Sequence, residues 1–146
     1  MVQRVSRAEV WASGACLARM QEGLLALVGV AREDGLDDAE RLASKLVHLR
    51  LFPDSRGRMS QSLLEVGGTL GLVSQFTLLG DARRGRRPSW SEAAPPERAR
   101  PLLEAVVAEA RARGVEVVTG RFGAEMDVVL TNHGPVTVLL DTRGLF

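Results

Sequence analysis

The spacing of apolar residues in the first 30 positions predicts three strands. Residues 2–12 carry Val2, Val5 and Val10 among polar residues, which is typical of a half-buried strand. A turn at 13–15 and a returning strand at 16–20 are expected to follow. The run GLLALVGV, which starts at Gly23, is apolar throughout and predicts a strand that is covered on both faces.

Two later stretches have the 3.6-residue spacing of amphipathic helices. In the first, leucines recur on one face from about Asp37 until Pro53 ends the helix. The second runs from about Glu97 to Arg113. It contains Pro101, which fits best in the first turn of a helix.

The remaining apolar segments predict further strands. Residues 62–66 and 69–78 flank two glycines and indicate a hairpin. VEVVTG, EMDVVLT and VTVLLDT follow near the C-terminus, and NHGP between the last two indicates a turn. The order βββ-α-ββ-α-βββ predicts a single α/β (α+β) domain over residues 1–146. We expect a mixed, mostly antiparallel sheet with two main helices.

Composition narrows the class of protein. A chain of 146 residues can bury a core without disulfides or metals, and Cys16 is its only cysteine. The net charge of +1 means that a nucleic-acid partner would have to contact a local basic patch. The sequence has neither a secretory h-region nor an apolar segment long enough to span a bilayer. We therefore expect a soluble cytoplasmic protein that does not contact membranes.

Two segments carry candidate chemistry. ARRGRRPS, residues 82–89, is either a solvated loop or a phosphate-binding loop, and its cations are Arg83, Arg84, Arg86 and Arg87. VSQFTLLGD, residues 73–81, follows a predicted strand, where free backbone N–H groups can bind an oxyanion. Thr77 in this segment is a possible nucleophile, but no base accompanies it. No GxSxG, HExxH or P-loop pattern is present, and we expect no metal site and no cofactor.

Several motifs together resemble one family. SQFTLLGD, GRRPSWSEAAPPERA and TGRFGAEMDVVLTNHGPVT occur in this order, with QRV near the N-terminus and RLFPDSRGRMS between. From Val2 to about Leu140 the chain resembles the D-aminoacyl-tRNA deacylases of the D-tyrosyl-tRNA deacylase type. The resemblance implies a homodimer that binds the tRNA acceptor end and hydrolyses the ester of a D-amino acid on the terminal adenosine. The implied activity also includes hydrolysis of glycine mischarged on tRNA-Ala.

The resemblance also implies roles for individual residues. Gly134 and Pro135 would be joined by a cis peptide bond, and their carbonyls would exclude L side chains from the partner subunit's site. The expected supports of this gate are Arg4, Asn132, Val136 and Thr137. His133 stands where the family usually has Asp, and it is a candidate general base beside the gate.

The remaining implied roles concern catalysis and substrate binding. The catalytic segment would be Ser74 to Thr77, in which the backbone N–H groups of Gln75, Phe76 or Thr77 would stabilise the oxyanion. The 2′-OH of the tRNA would assist hydrolysis in preference to Thr77. Phe122 and Met126 would line the substrate pocket, although ordinary core packing would equally account for both.

Two alternatives accompany this interpretation. One is a deacylase of relaxed chirality, with a trans Gly-Pro bond, that clears a mischarged L-amino acid. The other is a non-catalytic module that binds tRNA through the Arg83–Arg87 loop and releases no amino acid.

Overall fold

The structure is a computed structural model that describes residues 1–144, so the last two residues of the expected 1–146 domain lie outside it. Its elements, in chain order, are β1 (Val2–Ala12), β2 (Ala15–Met20), β3 (Gly23–Val28), α1 (Leu36–His48), β4 (Phe52–Pro53), β5 (Met59–Gln61), α2 (Leu63–Val66), β6 (Thr69–Ser74), a 3-10 turn (Phe76–Leu79), α3 (Pro96–Ala112), β7 (Val117–Thr119) and β8 (Asp127–Val138).

Strand β1 organises the main sheet. β3 and β2 pair antiparallel with its first and second halves, and β8 pairs antiparallel along its other edge. The sheet continues from β3 through the parallel strands β6 and β7, while β4 and β5 form a separate antiparallel pair. The predicted mixed, mostly antiparallel sheet with two main helices is confirmed.

Apolar side chains on the two faces of the sheet form two cores. The larger core lies under α1 and α3, which pack against each other, and it includes Leu24, Leu46 and Leu70. The smaller core, on the other face, gathers Val5, Leu25 and other buried side chains near β2 and β8. Because β3 is buried on both faces, its apolar run has no polar alternation, as the sequence predicts.

The hairpin predicted around the two glycines is wrong. Leu63–Val66 is a short helix, and β6 pairs parallel with β3. The Ser62 hydroxyl accepts a hydrogen bond from the Glu65 N–H, and the Glu65 carboxylate accepts one from the Ser62 N–H at 2.7 Å, which is a capping box. Gly67 ends the helix in the left-handed region, with φ 64°. The Ser-x-x-Glu capping box thus makes this segment a helix, although its leucine-rich sequence is also compatible with a strand.

Two further predictions need correction. Pro101 lies in the second turn of α3 and not in the first, because the helix already starts at Pro96. NHGP is not a turn between two strands, since β8 continues through it. Both parts of β8 pair with β1, and Arg4 alone lies opposite residues 133–136. The extra residues therefore form a bulge on one continuous strand.

Candidate functional site

The two segments of greatest interest lie at different places in the sheet. Arg4, which faces the bulge of β8, pairs with Leu24 of β3, whereas Ser74 pairs with Val28 at the far end of that strand. Four residues separate these levels, or roughly 13 Å along the strands, and three strand spacings add roughly 14 Å across the sheet. One chain therefore does not bring Gly134 next to the segment that follows Ser74.

The bulge presents Gly134 and Pro135 to solvent. Their peptide bond is cis, and both residues are exposed. Gly134 has φ +143°, a region that side-chain-bearing residues rarely occupy. A Cβ at this position would lie 2.6 Å from Val136 Cγ2 and 3.1 Å from Arg4 Nη2. Only glycine therefore fits this position without displacing the bulge.

Side chains hold the bulge from both ends. The Asn132 amide oxygen accepts a hydrogen bond from the Val136 N–H at 2.7 Å, and its Nδ2 donates to the Val136 carbonyl and to the Thr137 hydroxyl. Arg4 is buried, and its Nε donates to the His133 carbonyl at 2.9 Å while Nη1 donates to the Leu51 carbonyl. The His133 side chain is exposed. The bulge is therefore pinned to β1 by Arg4 and closed on itself by Asn132.

The segment after β6 offers two free backbone donors. The Gln75 N–H is occupied, because it donates to the Val28 carbonyl at 2.8 Å. Phe76 and Thr77 begin the 3-10 turn, and within residues 1–144 their N–H groups have no hydrogen-bond acceptor. Adjacent free N–H groups at a helix start can bind an oxyanion. Of the three predicted donors, the structure leaves Phe76 and Thr77.

The side chains of this segment are poorly suited to nucleophilic catalysis. The Thr77 hydroxyl accepts a hydrogen bond from the Gln75 amide, which cannot take up a proton. Phe76 and Thr77 are both exposed, and Ser74 is partly buried. The described part of the chain contains no group of three His, Cys, Asp or Glu side chains placed to hold a metal ion.

A groove runs beside this segment, between α3 and the carboxyl ends of β6 and β7. Ser74, Thr119 and Phe122 line it on the sheet side, and its volume is about 670 Å³. Ligands of α/β sheets commonly bind at the carboxyl ends of parallel strands. Met126 lies elsewhere: it packs on the smaller core, and its sulfur accepts a hydrogen bond from the Arg121 N–H. The structure therefore places Phe122, but not Met126, in the groove.

The arginine loop begins next to the same segment. Arg83 is held by Asp81, with guanidinium-to-carboxylate distances of 2.9 and 2.8 Å, and these bonds lower the pKa of Asp81 to about 2. The side chains of Arg84, Arg86 and Arg87 are exposed. Arg83 is thus part of the loop's own structure, and the other three remain available for an anion.

Sequence reasoning missed the contact that joins this loop to the 3-10 turn. The rings of Phe76 and Trp90 pack edge to face, with centroids 5.4 Å apart. Trp90 also covers Gly80, where a Cβ would overlap the indole ring. A tryptophan in an otherwise polar loop indicates a residue that stacks on a base or anchors the loop, but its contact with Phe76 cannot be predicted from the sequence.

Comparisons with known proteins give a consistent result. The sequence model of the D-Tyr-tRNA(Tyr) deacylase family matches residues 1–141. A D-aminoacyl-tRNA deacylase of Anaeromyxobacter dehalogenans is 57% identical over 146 residues, covering 100% of this chain and 98% of the relative. A D-aminoacyl-tRNA deacylase of Thermomicrobium roseum is 52% identical over 145 residues, covering 99% and 94%.

Two solved structures are similar in fold. The c-Myc DNA unwinding element binding protein has a TM-score of 0.89 and 33% identity, and the match covers 96% of this chain and 95% of that one. A probable eukaryotic D-amino acid tRNA deacylase has a TM-score of 0.79 at 16% identity, covering 91% and 92%. No helix in residues 1–144 combines the length and apolar character needed to cross a membrane.

Proposed function

We propose that this chain, which belongs to the D-Tyr-tRNA(Tyr) deacylase family, selects its substrates at the Gly134–Pro135 bulge. The chain is a D-aminoacyl-tRNA deacylase, and the bulge would admit D-aminoacyl esters and exclude L-aminoacyl esters. The observation that carries the proposal is the fixed position of the bulge. Arg4 and Asn132 hold this exposed backbone in place through hydrogen bonds with His133 and Val136. A rigid backbone wall rejects a side chain by shape and needs no contact with the accepted one.

We propose that each site is shared between two copies of the chain. The bulge and the free N–H groups of Phe76 and Thr77 are too far apart in one chain to contact the same amino acid. In a symmetric dimer, the bulge of one subunit can reach the 3-10 turn of the other, and two identical sites result. The exposure of Gly134, Pro135 and Phe76 in the isolated chain supports this assembly.

In the proposed mechanism the protein supplies mainly backbone groups. The N–H groups of Phe76 and Thr77 stabilise the negative charge that develops on the ester carbonyl oxygen. Water attacks the carbonyl carbon, and the ester C–O bond breaks to release the free amino acid and the tRNA 3′-OH. The neighbouring 2′-OH of the terminal adenosine assists this step. Within one chain the Thr77 hydroxyl is hydrogen-bonded to the Gln75 amide, which is not a base, and this supports the RNA-assisted route.

The role of the Thr77 side chain can be tested directly. We expect Thr77→Ala to keep kcat for D-aminoacyl-tRNA within about threefold of the wild type, since the substitution retains the backbone N–H. Single-turnover hydrolysis of labelled D-aminoacyl-tRNA measures this rate. A drop of about a thousandfold or more in the folded variant would instead identify Thr77 as the nucleophile.

Recognition of the tRNA is proposed to use the arginine loop. Arg84, Arg86 and Arg87 are exposed on a loop that Trp90 ties to the 3-10 turn, so phosphates of the acceptor end would meet them near the site. Arg83 contributes indirectly, by holding the loop through Asp81. Because aminoacyl-tRNAs are used where translation occurs, we place the activity in the cytoplasm.

Glycyl-tRNA is a second proposed substrate. Glycine has no side chain, so a gate that acts only by excluding L side chains admits it together with D-amino acids. Glycine mischarged on tRNA-Ala is the biological form in which we expect this activity. Met126, which packs on the smaller core, would affect this pocket indirectly, through its hydrogen bond from the Arg121 N–H.

Release of labelled amino acid from matched D-, L- and glycyl-tRNAs tests the proposal. We expect rapid hydrolysis of the D- and glycyl-esters, and an L-ester that decays at its spontaneous rate. Hydrolysis of the L-ester at a comparable rate would favour a deacylase of relaxed chirality, here with a cis Gly134–Pro135 bond in place of the trans bond expected for that alternative. Binding without release from any of the three would favour the non-catalytic tRNA-binding module.

A further inference from the structure

The groove beside the 3-10 turn carries three arginines that the proposed mechanism leaves without a role. Arg100 and Arg111 belong to α3, and Arg121 follows β7. Ser74, two residues before Phe76, and Phe122 line the same groove, so these cations lie near the proposed aminoacyl site. A substrate that arrives as the end of an RNA strand must pass its phosphates close to such a site.

The positions on α3 place two of these arginines on one face. Arg100 and Arg111 are separated by eleven residues, or three turns, and therefore lie about 16 Å apart along the groove. Glu104, between them, is the one carboxylate that lines the groove in the described part of the chain, and it pairs with Arg100 at 3.0 Å. The excess positive charge of the groove therefore belongs to Arg111 and Arg121.

These two arginines are presented differently. The Arg111 side chain is exposed, and its Nη2 donates to the carbonyl of Val117, the first residue of β7, at 3.0 Å, which fixes the direction of the guanidinium. The Arg121 side chain is also exposed and forms no hydrogen bond or ion pair within residues 1–144, although its backbone is anchored through Met126. The Arg111 guanidinium is thus oriented before a ligand binds, whereas the Arg121 guanidinium can move to bind an anion.

We propose that Arg111 and Arg121 are positioning residues that bind phosphodiester groups of the tRNA 3′ strand next to the terminal adenosine. The proposal rests on the proposed function, and it identifies how the ester is brought to the N–H groups of Phe76 and Thr77. Guanidinium groups bind phosphate oxygens bidentately, which fixes direction as well as distance. The arginine loop is then left to contact phosphates farther along the acceptor strand.

A pair of substrates separates phosphate binding from every other role. D-aminoacyl-tRNA carries the phosphates, whereas the 3′-(D-aminoacyl) ester of adenosine has none. We expect Arg121→Ala and Arg111→Ala each to raise KM for the tRNA about tenfold or more, with kcat unchanged. On the adenosine ester each variant should match the wild type. The slope of log KM against log salt for the tRNA should fall by about one per arginine removed.

Matched variants complete the test. Arg98→Ala makes the same change in net charge on α3 outside the groove and should leave both substrates unaffected, while Arg121→Lys should restore part of the lost affinity for tRNA. Equal losses on both substrates, or no loss on either, would overturn the inference and leave the deacylase assignment standing. If the wild type hydrolyses neither D-ester, the proposed function is wrong and this inference falls with it.

Discussion

Replacing Phe76 with Pro is expected to lower kcat for D-aminoacyl-tRNA by about 10²–10³-fold relative to Phe76→Ala. Both substitutions remove the aromatic ring and its contact with Trp90, but only proline also removes the backbone N–H. Proline is compatible with this position, since Phe76 is the first residue of the 3-10 turn and Gln75 before it, with φ −147° and ψ 82°, lies outside the α region that a following proline disfavours. The difference between the two variants isolates one proposed oxyanion donor.

Single-turnover kinetics with saturating enzyme measures the difference in rate between the two variants, because all the substrate is bound and differences in affinity no longer affect the rate. Circular dichroism and the thermal unfolding midpoint of both variants control for folding. Equal rates for Phe76→Pro and Phe76→Ala would show that the Phe76 N–H does not stabilise the transition state. The oxyanion site would then have to be sought elsewhere.

Gly134→Ala is expected to lower kcat/KM for D-aminoacyl-tRNA by about a hundredfold, since a displacement of about 1 Å at a reacting centre can cost that much. The backbone at φ +143° is strained for alanine, and its Cβ would lie 2.6 Å from Val136 Cγ2 and 2.9 Å from the Val136 nitrogen. The bulge must therefore shift. We also expect the ratio of D- to L-ester hydrolysis to fall, because the wall against L side chains moves with it.

Gly57→Ala is the matched control for this substitution. Gly57 also has a positive φ, of 75°, but a Cβ there would meet no atom within 4 Å, and it lies in the loop before β5. Both variants should lose roughly 1–3 kcal/mol of stability through backbone strain. Only Gly134→Ala should change activity. If folded Gly134→Ala protein hydrolyses D-aminoacyl-tRNA at the wild-type rate, with the wild-type ratio of D- to L-ester hydrolysis, the bulge does not select against L side chains.

Periodicity predicted most of the fold, because buried strands and amphipathic helices have repeating patterns. The β3 run and the α3 face are examples. The errors arose where one or two residues decide the local structure. The Ser62 capping box turns a leucine-rich segment into a helix, and the parallel pairing of β6 with β3 follows from that choice. Such decisions depend on hydrogen bonds that no periodic pattern reveals.

The candidate site was predictable only in its parts. The motifs around Ser74 and Gly134 can be found in the sequence by their resemblance to a family, but their positions at opposite levels of the sheet depend on the strand register. Likewise, Arg83 and Arg84 look alike in the sequence. Only the structure shows that Arg83 is paired with Asp81, while Arg84 forms no ion pair within residues 1–144.

The central claim is that each active site combines the 3-10 turn of one chain with the bulge of another. Mixing Phe76→Pro and Gly134→Ala proteins under conditions that allow subunit exchange tests it most directly. A mixed dimer then contains one site built from a wild-type turn and a wild-type bulge. Hydrolysis of D-aminoacyl-tRNA should therefore rise to about a quarter of the wild-type rate in an equal, fully exchanged mixture. Activity that stays at the average of the two separate variants, with exchange confirmed by mass spectrometry, would contradict a shared site.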